Sequence, residues 1–410
     1  MTNPSTLSVD QIRDRFPALT RRHRGQPVGF FDGPGGTQVP SAVIDAMADY
    51  LAHHNANTHW EYPTSHETDA LIAEARQAMA DLFGSRPDEI VFGANMTTLT
   101  FHLARGLARA WESGDEIVVT ALDHHGNVGP WEAVARDRGL VLQRIPFRLG
   151  DGTLEVDRLL DALGPKTRLV AVGWASNALG TVTDVAAICR ETAARGITSF
   201  VDGVHGVPHV FPDVARIGCD YLACSPYKFY GPHLGTLFGR KELLDRVDVP
   251  KLRPAPDAAP ERLETGTLSH EGIVGARAAV DFMASIAPRE DRRQSLAAAY
   301  QVLHERGRAL FGRLWEGLGA IPGVRRFGPG PDRPRTPTIG FVVEGVPSSS
   351  VARGLAERGL FVSHGDFYAA TVIERLGLGP EGLVRAGAAC YTNDAEVERL
   401  IEGVREIAAR

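Results

Sequence analysis

The chain has 410 residues, 43% of them hydrophobic, and a formal net charge of −6. That length and apolar content support large cores in two or three domains, and the acidic balance, with no long basic run, argues against nucleic acid or an anionic membrane as a partner. No apolar stretch reaches bilayer length, the first ten residues lack a signal-peptide pattern, and the four cysteines follow neither zinc nor disulfide-framework spacing, so a cytoplasmic protein with free thiols is expected.

Taken in order, Ser8 precedes a short amphipathic stretch that reads as a capped helix ending at Pro17. Phe30-Phe31 then runs into Asp32-Gly33-Pro34-Gly35-Gly36, which lacks the spacing of a nucleotide fingerprint and reads as a tight turn. Segment 55–63, with His59, Trp60 and Tyr62, carries too many breakers for a regular element. A helix is predicted over 67–83 and a strand over 88–92. The turn Gly93-Ala94-Asn95-Met96-Thr97 opens a further helix, whose N-terminus suits a phosphate, although Asn and Thr are also ordinary caps.

A strand at 116–120 leads to Asp123-His124-His125-Gly126-Asn127. Paired histidines suggest zinc, but no third ligand follows at metal spacing; a capping turn or an imidazole lying on an aromatic ligand are the other readings. Strands at 140–145 and 168–172 flank a helix at 156–163, an alternation that implies a parallel sheet covered on both faces. The second of them runs on to Ser176-Asn177, where Asn177 holds a turn or faces a ligand. Beyond a Pro-rich connection at 250–260, one long helix is predicted over 275–296, with more helix to 318. A strand at 338–343, a helix at 351–358, a strand holding Cys390 and a last helix from 394 make a smaller α/β unit. The expected division is an N-terminal segment (1–25) packing on the small domain, a large domain (26–285) and a small domain (286–410).

Two residues carry the chemistry. Lys228 lies on a loop between the apolar runs 220–223 and 236–239, with Ser225 before it, Tyr227 and Phe229 beside it and Gly231-Pro232 after it. A solvated surface lysine is the competing reading, but a site of this kind can desolvate an ammonium and free it to attack a carbonyl, as a Schiff-base lysine does. Upstream, an apolar strand at 197–201 ends on Asp202, where open α/β sheets put ligands. A lysine for an aldehyde and an acid opposite a pyridine nitrogen are the two groups that pyridoxal phosphate needs.

With those residues in place, Ser225-Pro226-Tyr227-Lys228-Phe229-Tyr230-Gly231-Pro232 and Asp202-Gly203-Val204-His205 resemble the fold-type I, class V aminotransferase-like enzymes, and most closely the cysteine desulfurase-like branch, from about residue 16 to about 401. The resemblance implies a PLP-transferase fold, with a mostly parallel seven-stranded sheet in the large domain and a smaller α/β C-terminal domain. It assigns the cofactor phosphate to Met96 (through backbone) and Thr97, ring stacking and proton transfer to His124, the phenolic oxygen to Asn177 and the pyridine nitrogen to Asp202, and it counts Ser225 among the cofactor-binding residues. His205 and Tyr227 complete the cofactor shell, where relatives carry Gln and His. Arg385, in Val384-Arg385-Ala386-Gly387, matches the arginine that pairs with the substrate carboxylate; a surface salt bridge is its other reading. Gly35 and Gly36 replace two alanines near the substrate, which implies more room. The resemblance also implies a homodimer in which Thr267 and segment 55–63 reach the other subunit's site, with His59 and Trp60 on an altered substrate channel.

The pattern breaks at one place. Desulfurases carry the sulfur-accepting cysteine in Arg-x-Gly-x-x-Cys-Ala, and here the segment reads Ser363-His364-Gly365-Asp366-Phe367-Tyr368-Ala369, with Tyr368 at the cysteine position. The expected activity is therefore a PLP-dependent lyase acting on an L-cysteine-type amino acid or a cysteine S-conjugate, with Tyr368 protonating the departing sulfur. The resemblance extends to C–S bond-processing enzymes of antibiotic pathways, including lincosamide assembly. Decarboxylative oxidative deamination, desulfuration, transamination and epimerisation are open to the same fold. A PLP-binding partner protein without turnover, or a His-ligated metal hydrolase, is the reading from outside it.

Overall fold

The computed structural model describes residues 6–409; residues 1–5 of the expected N-terminal segment lie outside them. Strands β1 (Ile90–Gly93), β2 (Glu116–Thr120), β3 (Val141–Ile145), β4 (Thr167–Gly173), β5 (Thr198–Asp202), β6 (Tyr221–Cys224) and β7 (Gly235–Gly239) form one sheet in the order β1-β7-β6-β5-β4-β2-β3. All pairs are parallel except those of β7, which runs against both of its neighbours. Side chains alternate across this sheet and are buried on both faces: Val118, Val170, Val201 and Leu222 enter one core cluster, and Ile117, Leu169, Phe200 and Tyr221 the other. The register sets Gly173 beside Asp202 and Asp202 beside Ala223, so the C-terminal ends of β4, β5 and β6 lie together.

A second, antiparallel sheet takes the order β8-β9-β11-β10, from β8 (Val324–Phe327), β9 (Thr338–Val343), β10 (Ser363–Gly365) and β11 (Leu383–Gly387). Helices Ser348–Glu357 and Asp394–Ala408 pack on it around a third core cluster. The chain reaches this layer early: Gly29–Phe30 pairs with Leu360–Phe361, and the Gly387 amide donates to the Phe31 carbonyl at 2.8 Å. Asp32 is thereby delivered next to β11. No helix among the described residues is long and apolar enough to cross a membrane.

Several expected boundaries shift for local reasons. The N-terminal helix spans only Val9–Arg13, held by a capping box between Ser8 and Gln11, and a 3-10 turn begins at Pro17. The helix expected at 67 begins at Pro63, since proline suits the first helical position. The long helix expected over 275–296 is two, His270–Ala284 and Arg292–Gly319: Pro288 lies in the break, and the Asp291 side chain accepts the Gln294 amide to start the second. Cys390 sits in a turn beyond β11, not in a strand, and is buried.

One buried ion pair ties the helix Pro63–Phe83 to the segment carrying Thr267. Glu264 receives both Arg76 Nη atoms, at 2.8 and 2.7 Å, and the Phe92 amide of β1 at 2.8 Å. Removing one member leaves an uncompensated buried charge, so Glu264→Ala is expected to cost about 3 kcal/mol, read as a lowered urea midpoint with an unchanged slope.

Candidate active site

A cavity of about 490 Å³ opens at the C-terminal ends of β4, β5 and β6. Its wall gathers Thr97, His124, Asn177, Asp202, His205, Ser225, Tyr227 and Lys228, together with the backbone of Met96 and Gly35. These come from six separate stretches of sequence, and the parallel sheet is what brings them to one place.

Lys228 sits on the 3-10 turn that follows β6. Its Nζ donates to the Pro34 and Gly35 carbonyls at 2.6 and 2.9 Å and lies 4.9 Å over the Tyr227 ring. Burial, and then the neighbouring Arg385 cation, pull the amine down from its ordinary value to about 7. Asp202 is buried at the end of β5 and accepts the Val204 amide at 2.9 Å; burial raises its carboxyl to about 6, and Lys228 partly offsets that. His124 accepts the Gly126 amide on Nδ1 at 2.8 Å, so its proton belongs on Nε2. Burial, then Lys228, lowers its imidazole to about 4, which keeps the ring neutral at pH 7.

At the start of the helix Met96–Leu107, the Asn95 side chain caps the Thr98 amide at 2.9 Å. The Met96 amide, expected to serve a phosphate, instead donates to Ser225 Oγ at 3.1 Å, because Ser225 leaves β6 directly against this helix end. Thr97 stays on the cavity wall with its hydroxyl available. His205 is buried, and its Nε2 lies 3.1 Å from each of the Thr336 and Thr338 hydroxyls of the small-sheet layer. Tyr227 stacks on His233 at 4.8 Å.

Two carboxylates matter more than their sequence context suggests. Asp32 Oδ1 is buried, makes no hydrogen bond and lies 3.5 Å from Arg385 Nη2. Arg385 is itself only 4% exposed, donates to the Asn177 carbonyl and to Ser363 Oγ, and covers the Phe367 ring at 4.1 Å. The expected extra room at the glycine pair is not open space. A Cβ on Gly35 would meet Asp32 Oδ1 at 2.5 Å, and one on Gly36 would meet the Tyr227 ring at 3.2 Å. The second carboxylate, Asp123, accepts from Thr120 Oγ1, the Gly173 amide and Asn127 Nδ2, and burial raises it to about 7. An acid ending an apolar run, the signal that singles out Asp202, is also present at Asp32 after Phe30-Phe31.

Tyr368 is 74% exposed and is not on the cavity wall, but its ring lies 5.6 Å from that of His124, which is. Phe367 and Tyr368 both take left-handed backbone (φ 56° and 57°), a costly conformation for side-chain-bearing residues. Four contacts hold it: Asp366 Oδ1 accepts the Tyr368 amide, the Tyr368 carbonyl accepts the His125 amide, the Phe367 carbonyl accepts Asn177 Nδ2, and Arg385 covers the Phe367 ring. Thr267, His59 and Trp60 are exposed and are not on this chain's cavity wall; His59 instead faces Asp69 at 3.2 Å. Among the described residues no group of three or more His, Cys, Asp or Glu side chains converges as a metal site.

The wall fits pyridoxal phosphate in its donors and acceptors. Asn177 Oδ1 is buried without a hydrogen-bond partner, which a ring hydroxyl would supply. Asp202 offers a buried carboxylate for a protonated ring nitrogen, and Thr97 and Ser225 offer hydroxyls beside a helix N-terminus for a phosphate.

Comparison with known proteins agrees. The family profile described as aminotransferase class-V matches residues 29–400. A "Probable cysteine desulfurase" of Pseudomonas putida is 32% identical over 418 residues, covering 98% of each chain. Among solved structures, the apo cysteine desulfurase of Thermococcus onnurineus superposes with a TM-score of 0.88 at 26% identity, covering 100% of this chain and 99% of its own. A cysteine desulfurase of Escherichia coli gives 0.85 at 26%, covering 99% of both.

The depressed Lys228 amine has a measurable consequence. Free amine is the reactive form, so reaction of cofactor-free protein with pyridoxal phosphate, followed by absorbance, is expected to speed up about tenfold per pH unit below 7 and level off above it. Arg385→Gln removes one cause of the depression and is expected to move that midpoint upward.

Proposed function

The chain belongs to the class V aminotransferase family of pyridoxal phosphate-dependent enzymes, and from that premise we propose that it is a lyase cleaving the C–S bond of a cysteine S-conjugate by β-elimination. The observation that carries this reading is the clamped, strained Phe367-Tyr368 turn, which holds a phenol beside His124 where the related desulfurases carry their reactive cysteine. The thiols support it from the other side. All four cysteines are buried, none is on the cavity wall, and burial raises every one, Cys189 and Cys390 to about 12. A persulfide needs a reachable thiolate, and this chain has none in the site.

Pyridoxal phosphate, when bound, supplies the electron sink that lets bonds at the amino acid's Cα and Cβ break heterolytically. Lys228 would hold its aldehyde carbon, Asp202 its ring nitrogen, Asn177 its hydroxyl, and Thr97 and Ser225 its phosphate, with His124 lying on the ring and His205 and Tyr227 completing the shell. Arg385 receives the substrate carboxylate, which takes over the place of the Asp32 carboxylate. Lys228 Nζ, an amine near neutrality, takes the proton from Cα. The C–S bonding pair leaves with sulfur, and Tyr368 Oη gives that thiolate its proton. Water then releases ammonia from the three-carbon fragment, so the overall conversion is conjugate plus water to thiol, pyruvate and ammonia, with no net oxidation.

The same reading makes the enzyme a cytoplasmic homodimer. The Thr267 segment and segment 55–63 are exposed on the isolated chain, with Trp60 and Tyr62 at 58% and 44%, as residues serving a partner's site would be. Such surface clusters commonly mark protein contacts.

Incubating the cofactor-loaded protein with an S-alkyl-L-cysteine and, separately, with L-cysteine is the deciding measurement. Pyruvate, ammonia and the alkyl thiol in equal amounts are expected from the conjugate; alanine with sulfide from cysteine, or carbon dioxide from the conjugate, would overturn the assignment. Tyr368→Phe should slow the S-alkyl substrate by about 100-fold, while an S-aryl conjugate, whose thiolate leaves without protonation, should lose little. Equal losses on both would remove Tyr368 from the proton transfer.

A further inference from the structure

A second cavity, of about 290 Å³, lies on the far side of His205, between the Pro208-His209 turn and the layer carrying Arg306 and Arg335. Its wall is cationic to a degree unlike the rest of this acidic chain. Arg306, Arg308, Arg333 and Arg335 all face it, and among the described residues none of the four forms an ion pair. His209 and His304 are on the same wall, with Asp332 the single carboxylate.

The innermost arginine is the informative one. Arg335 is 8% exposed, lies 3.4 Å over the Phe311 ring and is held only by carbonyl oxygens, those of Pro329, Leu179, Thr336 and Thr338. Arg306 is held the same way, by the Cys390 and Thr392 carbonyls. Carbonyls orient a guanidinium but do not neutralise it, and burial pulls Arg335 down to about 9. A buried cation with only carbonyl partners, on the wall of an open cavity rimmed by two further arginines, gives that cavity the charge and donor chemistry of an anion site.

We propose that this cavity binds a small anion carrying two or more negative charges, the chemistry shared by inorganic phosphate and the di- and tricarboxylates, and that its occupancy is transmitted to the catalytic cavity. The path is short: Thr336 is on the second cavity's wall and lies 3.1 Å from His205 Nε2, while the His209 ring packs 5.4 Å from that of His205, itself on the catalytic wall. The site does not depend on the reaction proposed above, and its binding is read without turnover.

Titration calorimetry on cofactor-loaded protein, with inorganic phosphate and with citrate as separate probes at constant ionic strength, tests it. Saturable binding near one anion per chain is expected, weakened at least tenfold in R308Q/R333Q, whose exposed side chains leave the fold and the urea midpoint unchanged. The preferred probe identifies which anion class the site takes. No saturable heat, equal heat in the variant, or phosphate binding seen only in cofactor-free protein, which would place it in the catalytic cavity, each overturns the site. Saturation is also expected to shift the bound cofactor's visible absorbance in the wild type but not in R308Q/R333Q, and an unmoved spectrum overturns the coupling.

Discussion

The site depends on two cations buried within reach of each other's field, Lys228 and Arg385, with the Asp32 carboxylate close to the second. Each cation alone would be costly to bury; together they are worse, and the arrangement persists because carbonyls and one carboxylate are aimed at them. Pro34 and Gly35 present their carbonyls to Lys228 while Asp32, two and three residues earlier, faces Arg385. One short loop therefore serves both charges. It can do so because Gly29–Phe30 is paired into the small-sheet layer while Lys228 is fixed to the large one. The convergence of two sheets on one loop makes the Lys228 amine available near neutral pH, and it places Arg385 opposite the Asp32 carboxylate.

The large sheet was legible because its strands are short apolar runs buried on both faces and separated by helices of the right period, a pattern that survives any tertiary context. Asp202 and Lys228 were legible for a related reason: each ends such a run. Asp32 ends one too, but the glycine pair after it implies extra room, and only the folded loop shows that a Cβ at Gly35 would collide with the Asp32 carboxylate. Helix ends were hard to place, since the break around Pro288 and the start at Pro63 hinge on single residues within continuous helical patterns. The arginine-lined cavity left no trace in the sequence, because Arg306 and Arg335 lie far apart along the chain and only the fold brings them to one wall.

His205 joins the two halves of the molecule in a way a glutamine would share only in part. Its Nε2 is committed to two threonine hydroxyls of the small-sheet layer, and burial holds the ring neutral. A neutral imidazole with one nitrogen engaged has a single further hydrogen bond to give or accept on the catalytic side. Any shift of the Thr336-Thr338 strand is therefore felt directly at the wall of the catalytic cavity. The small-sheet layer also supplies Arg385, so the position of that layer sets both the Arg385 guanidinium and the His205 ring.

At position 368 a phenol stands where the cysteine desulfurase-like pattern has a cysteine. A cysteine in that loop attacks the substrate's sulfur, so the sulfur stays with the protein and the three-carbon fragment takes up protons. A phenol has no comparable nucleophilicity toward sulfur; what it offers is a proton. Under the β-elimination proposed above, and with the four thiols buried away from the cavity, the electron pair of the C–S bond departs with sulfur and the carbon fragment is left unsaturated. The strained turn has a purpose under that constraint. Two consecutive left-handed residues cost roughly 1–3 kcal/mol each; Asn177 and Arg385 hold the first of them, Phe367, and the Tyr368 ring that follows lies beside His124.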